Sequence, residues 1–294
     1  MRPEPSEEQP FPYPRVVACL PAWRAANFIG PVLESLASQT YQNLEVLISV
    51  DLCSDDTADI CERFAEAHPN ARVIRQPERL GWIGNTNALL SAADGDYVFF
   101  AFHDDPLEPT YVASLAAALE ANPQAVLAFS DFYTHNGIRT YEVLEGADRR
   151  FERCRRVFHG YGAWWVPNRG LMRIGAVRAL GGMRSHLGGE YAADWPWLLR
   201  LAALGAFVRV PEPLLFKNLH EGSLSKSWRS TTRKRLGLQL ARMAAIREAR
   251  FPLPQELYLY AESLFFALGL RSCPQWLRSL NGKVRMRFTP ADQR

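Results

Sequence analysis

Within its first 102 residues four short apolar runs alternate with three segments of helical spacing. Arg15–Leu20, Leu44–Val50, Ala71–Arg75 and Asp96–Phe102 read as strands. Asn27–Ser38 (Phe28, Val32 and Leu36 on one side), Asp55–Ala67 (Ile60, Phe64, Ala67) and Trp82–Ala93 read as helices between them. Continuous apolar strands separated by helices build a parallel sheet with right-handed crossovers, covered on both faces. In such sheets the ligand sits beyond the carboxyl ends of the strands. Pro21, Asp51 and Asp104 all fall at those ends, so the pattern sets both an architecture and a place to look for chemistry.

Asp96–Phe102 ends in an aromatic run, and His103-Asp104-Asp105-Pro106 follows at once. Adjacent carboxylates where a buried strand must stop can hold a hard divalent cation, and that cation can hold a diphosphate. The same tetrapeptide also suits a plain strand end that opens a helix. A further helix is expected over Pro109–Ala121 and a strand over Ala125–Asp131. Residues 132–167 read as irregular, with Arg149, Arg150, Arg153, Arg155 and Arg156 clustered, either solvated or turned toward phosphate on an acceptor. Asp194–Leu204 reads as a helix and Phe207–Val210 as a strand, and two helices split near Pro252 and Pro254 follow Trp228. No internal repeat is evident.

These stretches resemble the family-2 glycosyltransferases of GT-A fold. The resemblance is carried by Val16-Val17-Ala18-Cys19-Leu20-Pro21-Ala22, Gln39-Thr40-Tyr41, Leu47-Ile48-Ser49-Val50-Asp51, Leu80–Asn87 and His103-Asp104-Asp105, and it continues to about Ser225. It implies an α/β fold, a mostly parallel sheet sandwiched by helices as in nucleotide-diphospho-sugar transferases, with a C-terminal helical extension. The expected division is a disordered tail over 1–14 and a transferase domain over 15–225. Within that domain, 15–110 is the nucleotide-binding half and 111–225 the acceptor half. The helical extension covers 226–294.

The resemblance also implies roles. Pro21, Ala22, Asp51, Asn87 and Asp104 match positions that bind the nucleotide-sugar, Asp51 through the base or ribose. Asp104, with Asp105 or His220, matches the site of a Mg²⁺ or Mn²⁺ ion. Asp194 matches the carboxylate that takes the acceptor proton, with Glu190 in reserve. Three acids usual in the family are replaced here, by Val50, Phe102 and Ala193. The expected activity is therefore a metal-dependent, inverting glycosyl transfer from a nucleotide-diphospho-sugar to a saccharide, lipid-linked or other hydroxyl acceptor. The alternative is a decayed module that binds nucleotide-sugar or a partner without turnover. A nucleotidyltransferase would need basic residues near the first loop, where only Arg24 lies.

Composition bounds the rest. A net charge of +3 gives no ground for nucleic acid as a partner. The basic residues are mostly Arg, with Lys only at 217, 226, 234 and 283. Five cysteines without metal spacing fit a reducing, cytoplasmic setting. The stretch Leu257–Leu270, interrupted by Glu262, is too short to span a bilayer, which leaves peripheral contact with a membrane face as the expected form of any attachment. Trp164, Trp165, Trp195 and Trp197 suit either a sugar-stacking platform or core packing.

Overall fold

The computed structural model describes residues 13–135, 137–140, 142–144, 147–160, 165–218 and 230–267. The expected tail over 1–14 lies almost wholly outside them, and so do His220, Trp164 and residues 268–294. Strands β1 (Val16–Ala22), β2 (Leu44–Val50), β3 (Ala71–Arg75) and β4 (Tyr97–Phe100) alternate with helices α1 (Ile29–Ala37), α2 (Thr57–Ala67) and α3 (Gly81–Ala92). Helix α4 (Tyr111–Glu120) and strand β5 (Ala125–Thr134) follow, each near its expected place. Every residue of β1 is buried. Each large aliphatic side chain removed from water in this way contributes about 1.5–3 kcal/mol.

Among the described residues one sheet of eight strands forms, in the order β3-β2-β1-β4-β7-β5-β6, with β8 (Ala206–Phe216) added on β5. Strands β1 to β4 are mutually parallel, and β8 runs parallel to β5. The exceptions are β7 (Leu171–Arg173), antiparallel between β4 and β5, and the short hairpin strand β6 (Gly137–Arg139). Pro21 fits inside β1 because β4 pairs with β1 only as far as Cys19↔Phe100, so no ladder bond is lost on that side.

The stretch read as irregular contains a helix, α5 (Arg150–His159). Phe151, Cys154, Val157 and Phe158 give it an inward face, and Gly160 ends it in the left-handed region at φ +66°. Of the clustered arginines, Arg153 and Arg155 are buried and Arg156 is half-buried, while Arg149 and Arg150 stay exposed. Arg153 donates to the carbonyls of Ala202, Ala147 and Asp148, and Arg150 donates to Ala203 and Ala249. Arg155 and Arg156 pair with Glu152.

Helix α6 (Ile174–Leu180) precedes α7 (Asp194–Leu204), and α8 (Thr232–Glu248) and α9 (Leu253–Ala267) close the described chain. Thr231 caps α8 by accepting from Lys234 N. The last two helices dock on the domain through buried polar groups as well as apolar ones. Arg242, fully buried, lies 3.8 Å from the Phe158 ring and 4.1 Å from the Trp195 ring. Glu262 accepts from His159, and Tyr258 shares the same carboxylate.

Candidate functional site

The carboxyl ends of β1, β2 and β4 meet the N-termini of α3 and α7 on one rim of the sheet. Asp51, 2% exposed, follows β2 directly. Its backbone N–H donates to Ala22 O, which ties the ends of β1 and β2 together. Its carboxylate accepts from Leu80 N at 2.7 Å and Gly81 N at 3.0 Å, the first turn of α3, where unpaired amides and the helix dipole favour an anion. Gly81 takes φ +72°, a conformation glycine enters without strain.

Glu190, the reserve base, caps the same turn: its Oε1 accepts from Ile83 N at 3.0 Å. A Cβ on Gly81 would stand 2.7 Å from that oxygen. Asn87 spends its amide on the backbone of Met183, donating to its O and accepting from its N. It therefore fastens α3 to the segment that leads into α7.

After β4, His103 Nδ1 lies 3.2 Å from Pro21 O, so this loop rests on the end of β1. Asp104 has a side chain 12% exposed, and its Oδ2 lies 3.8 Å from Lys217 Nζ. The expectation that Asp105 joins Asp104 on a cation meets a different arrangement. The Asp105 side chain is fully buried, and both its oxygens are committed. Oδ2 accepts from Arg169 Nε at 2.8 Å; Oδ1 accepts from Lys217 Nζ at 2.9 Å and Asn218 N at 3.1 Å. Lys217 is delivered there by the end of β8, whose Phe216 N donates to Pro106 O.

Arg169 also lies over the Phe102 ring at 4.7 Å and the Trp165 ring at 5.2 Å. A guanidinium thus rests on the aromatic residue that stands where the family usually has its first acid. Trp195 and Trp197 are buried and bonded through their ring nitrogens to Val157 O and Gly181 O, so they serve packing rather than a sugar platform.

Asp194 opens α7, just after Ala192, which takes φ +49°. Strained backbone of this kind costs about 1–3 kcal/mol and persists only where its surroundings impose it. Asp194 Oδ2 accepts from Asn168 Nδ2 at 2.8 Å, while its buried Oδ1 has no hydrogen-bond partner among the described residues. Burial raises its pKa to about 7, and the Arg169 guanidinium pulls in the opposite direction. A carboxyl poised near neutrality suits a general base. Asn168 and Arg169 are neighbours in a short 3-10 turn, so one turn reaches Asp194 through the first and Asp105 through the second. In this way the two halves of the expected site are joined.

Sequence reading missed Asn168, Arg169 and Lys217. The one available signal was Lys217, a rare lysine in an arginine-rich chain, three residues before His220. Among the described residues no group of three or more His, Cys, Asp or Glu side chains is gathered for a metal. What the rim offers is Asp104. One carboxylate fits a magnesium-like cation that takes its other oxygens from phosphate and water.

Residues 17–171 match the family described as Glycosyl transferase family 2. Glycosyltransferase GlyA of Streptococcus pneumoniae serotype 4 is 30% identical over 122 residues, 42% of this chain and 17% of that protein. The chain thus spans about a sixth of the length of that relative. Among solved structures, S. aureus TarS 1–349 in complex with UDP-GlcNAc superposes with a TM-score of 0.71 at 17% identity, over 85% of this chain and 71% of that one. The mannosyltransferase PcManGT from Pyrobaculum calidifontis, in complex with GDP-Man and Mn²⁺, gives 0.58 at 20% identity, over 91% and 78%. The mixed, mostly parallel sheet with its flanking helices is the fold of these GT-A structures. With more than half of its 294 residues matched, the chain belongs to glycosyl transferase family 2.

Proposed function

We propose that the chain transfers a sugar from a nucleotide-diphospho-sugar to a hydroxyl acceptor, with inversion at the anomeric carbon. The observation that carries this reading is that one turn, Asn168–Arg169, links Asp194 to Asp105, the neighbour of Asp104 in the loop after β4. The nucleotide would lie over Pro21, Ala22 and Asp51. Asp51 anchors α3 through its own carboxylate, and carboxylate oxygens retain further lone pairs for a ribose hydroxyl or a base N–H. Asp104 would face the diphosphate and hold the cation, with His220 as the second candidate ligand. A divalent cation there supplies positive charge where the leaving diphosphate gains negative charge.

Asp194 would take the proton of the acceptor hydroxyl on Oδ1, which no other described residue engages, while Asn168 holds Oδ2. The hydroxyl oxygen attacks as the bond to the diphosphate breaks, so one displacement inverts the centre. Asp105 is assigned a positioning role: it fixes Arg169 and Lys217 behind Asp104. That PcManGT is seen with GDP-Man and Mn²⁺, and TarS with UDP-GlcNAc, supports a nucleotide-sugar as the donor class.

We further read the C-terminal helices as a peripheral contact that a cytoplasmic enzyme would make with an anionic membrane face. Leu236, Leu240, Leu253, Leu257 and Leu264 are exposed on α8 and α9, with Arg233 and Arg247 outward on α8. No described helix is long and apolar enough to cross a membrane.

The test is a thermal-shift panel of UDP-, GDP- and dTDP-sugars with and without Mn²⁺. A ligand that binds the native state raises the melting temperature. One donor class is expected to do so, and sugar release from it should follow when acceptors are supplied. No shift with any member counts against a donor site; a shift without turnover against a broad acceptor panel favours the decayed module, whose mark is Phe102 under Arg169.

A further inference from the structure

Two carboxylates close β4, and two cations meet them. Asp104 and Asp105 face Lys217 and Arg169, so their formal charges cancel at the point where a diphosphate would arrive. A rim of this kind differs from an open acidic cluster, which draws a divalent cation by its net negative charge. Lys217 is the cation nearest Asp104. Its Nζ lies 2.9 Å from Asp105 Oδ1, 3.3 Å from Asn218 O and 3.8 Å from Asp104 Oδ2. An ammonium has three N–H groups. Two are used by Asp105 and Asn218, and the third has no acceptor within hydrogen-bond distance among the described residues. The side chain is 10% exposed, held in place yet not sealed. Lysine binds phosphate as a point charge, with no need of a fixed fork.

We infer that Lys217 is a built-in cation of the donor site: one N–H of its ammonium is given to a diphosphate oxygen, so that a nucleoside diphosphate is held even when divalent metal is withdrawn. This rests on the donor-site reading above and names the residue that fills part of the metal's role. Asp105 then acts as the anchor that keeps the ammonium in position, and Arg169 completes the charge balance from the other side.

The experiment is calorimetric titration of the whole chain with UDP, GDP and dTDP and with the matching nucleosides, once in EDTA and once in Mn²⁺. In EDTA the wild-type chain is expected to bind one diphosphate about tenfold or more tighter than its nucleoside, as befits one charge-assisted hydrogen bond. Lys217→Met should erase that difference and leave nucleoside affinity unchanged. Lys217→Arg should restore much of it. A lysine that only supports the fold would weaken nucleoside and diphosphate together.

Because Lys217→Met leaves a buried carboxylate short of a partner, the paired variant Asp105→Asn/Lys217→Met is measured beside it, each checked by thermal unfolding. The paired variant should likewise show no preference for the diphosphate in EDTA. A wild-type chain that prefers the diphosphate only when Mn²⁺ is present overturns the inference and leaves the donor site standing. So does a Lys217→Met chain that keeps the full preference in EDTA. Binding of no nucleotide in either medium overturns the donor-site reading and this inference with it.

Discussion

Asp194 makes a measurable demand on stability as well as on catalysis. Its pKa is raised from 3.8 to about 7 because burial penalises the carboxylate. A folded-state pKa above the unfolded one means that the native chain holds the proton more tightly. The contribution to stability is therefore fully present below about pH 4 and is lost as pH rises through 7. Integrated over the whole range, about three pKa units correspond to about 4 kcal/mol, and the part that falls between pH 5 and pH 8 is about 2–3 kcal/mol. Asp194→Asn has no proton to lose, so it removes this slope. Its own buried amide, left partly unsatisfied, costs about 1–3 kcal/mol at every pH.

The readout is thus the change in the gap between the two proteins, not the gap at one pH. Urea unfolding of both at pH 5, 6, 7 and 8 should show the variant gaining about 2–3 kcal/mol on the wild type over that interval. The wild-type transfer rate should rise along a limb with an apparent pKa of about 7, and the variant should show no transfer above background. A gap that stays constant from pH 5 to pH 8 would refute the claim that burial holds this carboxyl near neutrality. Near-wild-type turnover in the variant would remove Asp194 from its role as base.

Other expectations are briefer. Asp104→Asn should lower transfer about 100-fold or more while unfolding free energy stays within about 1 kcal/mol, measured by turnover and urea titration; retained turnover would take Asp104 off the diphosphate. Asp51→Asn weakens the two amide bonds to Leu80 and Gly81 and should destabilise the chain by about 1–3 kcal/mol in urea, with no effect counting against its anchoring of α3. Leu236→Glu with Leu240→Glu should cut co-flotation with phosphatidylserine vesicles several-fold at low salt, and failure of the wild-type chain to float at all would dismiss the membrane contact.

The front half of the molecule was legible in the sequence because β1, β2 and β4 are buried almost throughout, and only the edge strand β3 is not. Leu44–Val50 and Ala71–Arg75 fall where the apolar runs place them, and a β-α alternation admits few topologies. Helix α5 was hidden by its own arginines. Arg150, Arg153 and Arg155 read as a solvated cluster, yet each finds carbonyls or carboxylates supplied by α7 and the C-terminal helices, far away in the chain. Pairing of that kind leaves no local pattern.

The same division runs through the site. Strand ends and short motifs are local, so Asp51, Asp104 and Asp194 could be singled out from their neighbours in sequence. How each carboxylate is spent depends on partners 26 to 113 residues away, such as Asn168 for Asp194 and Lys217 and Asn218 for Asp105. The sequence by itself determined the α/β alternation and the rim on which the acids gather, since periodicity and chain reversal are encoded residue by residue. Only the tertiary structure decided that Asp105 is neutralised, that Asp51 anchors a helix and that Asp194 is buried near neutrality, because electrostatic environment is set by distance in space rather than along the chain.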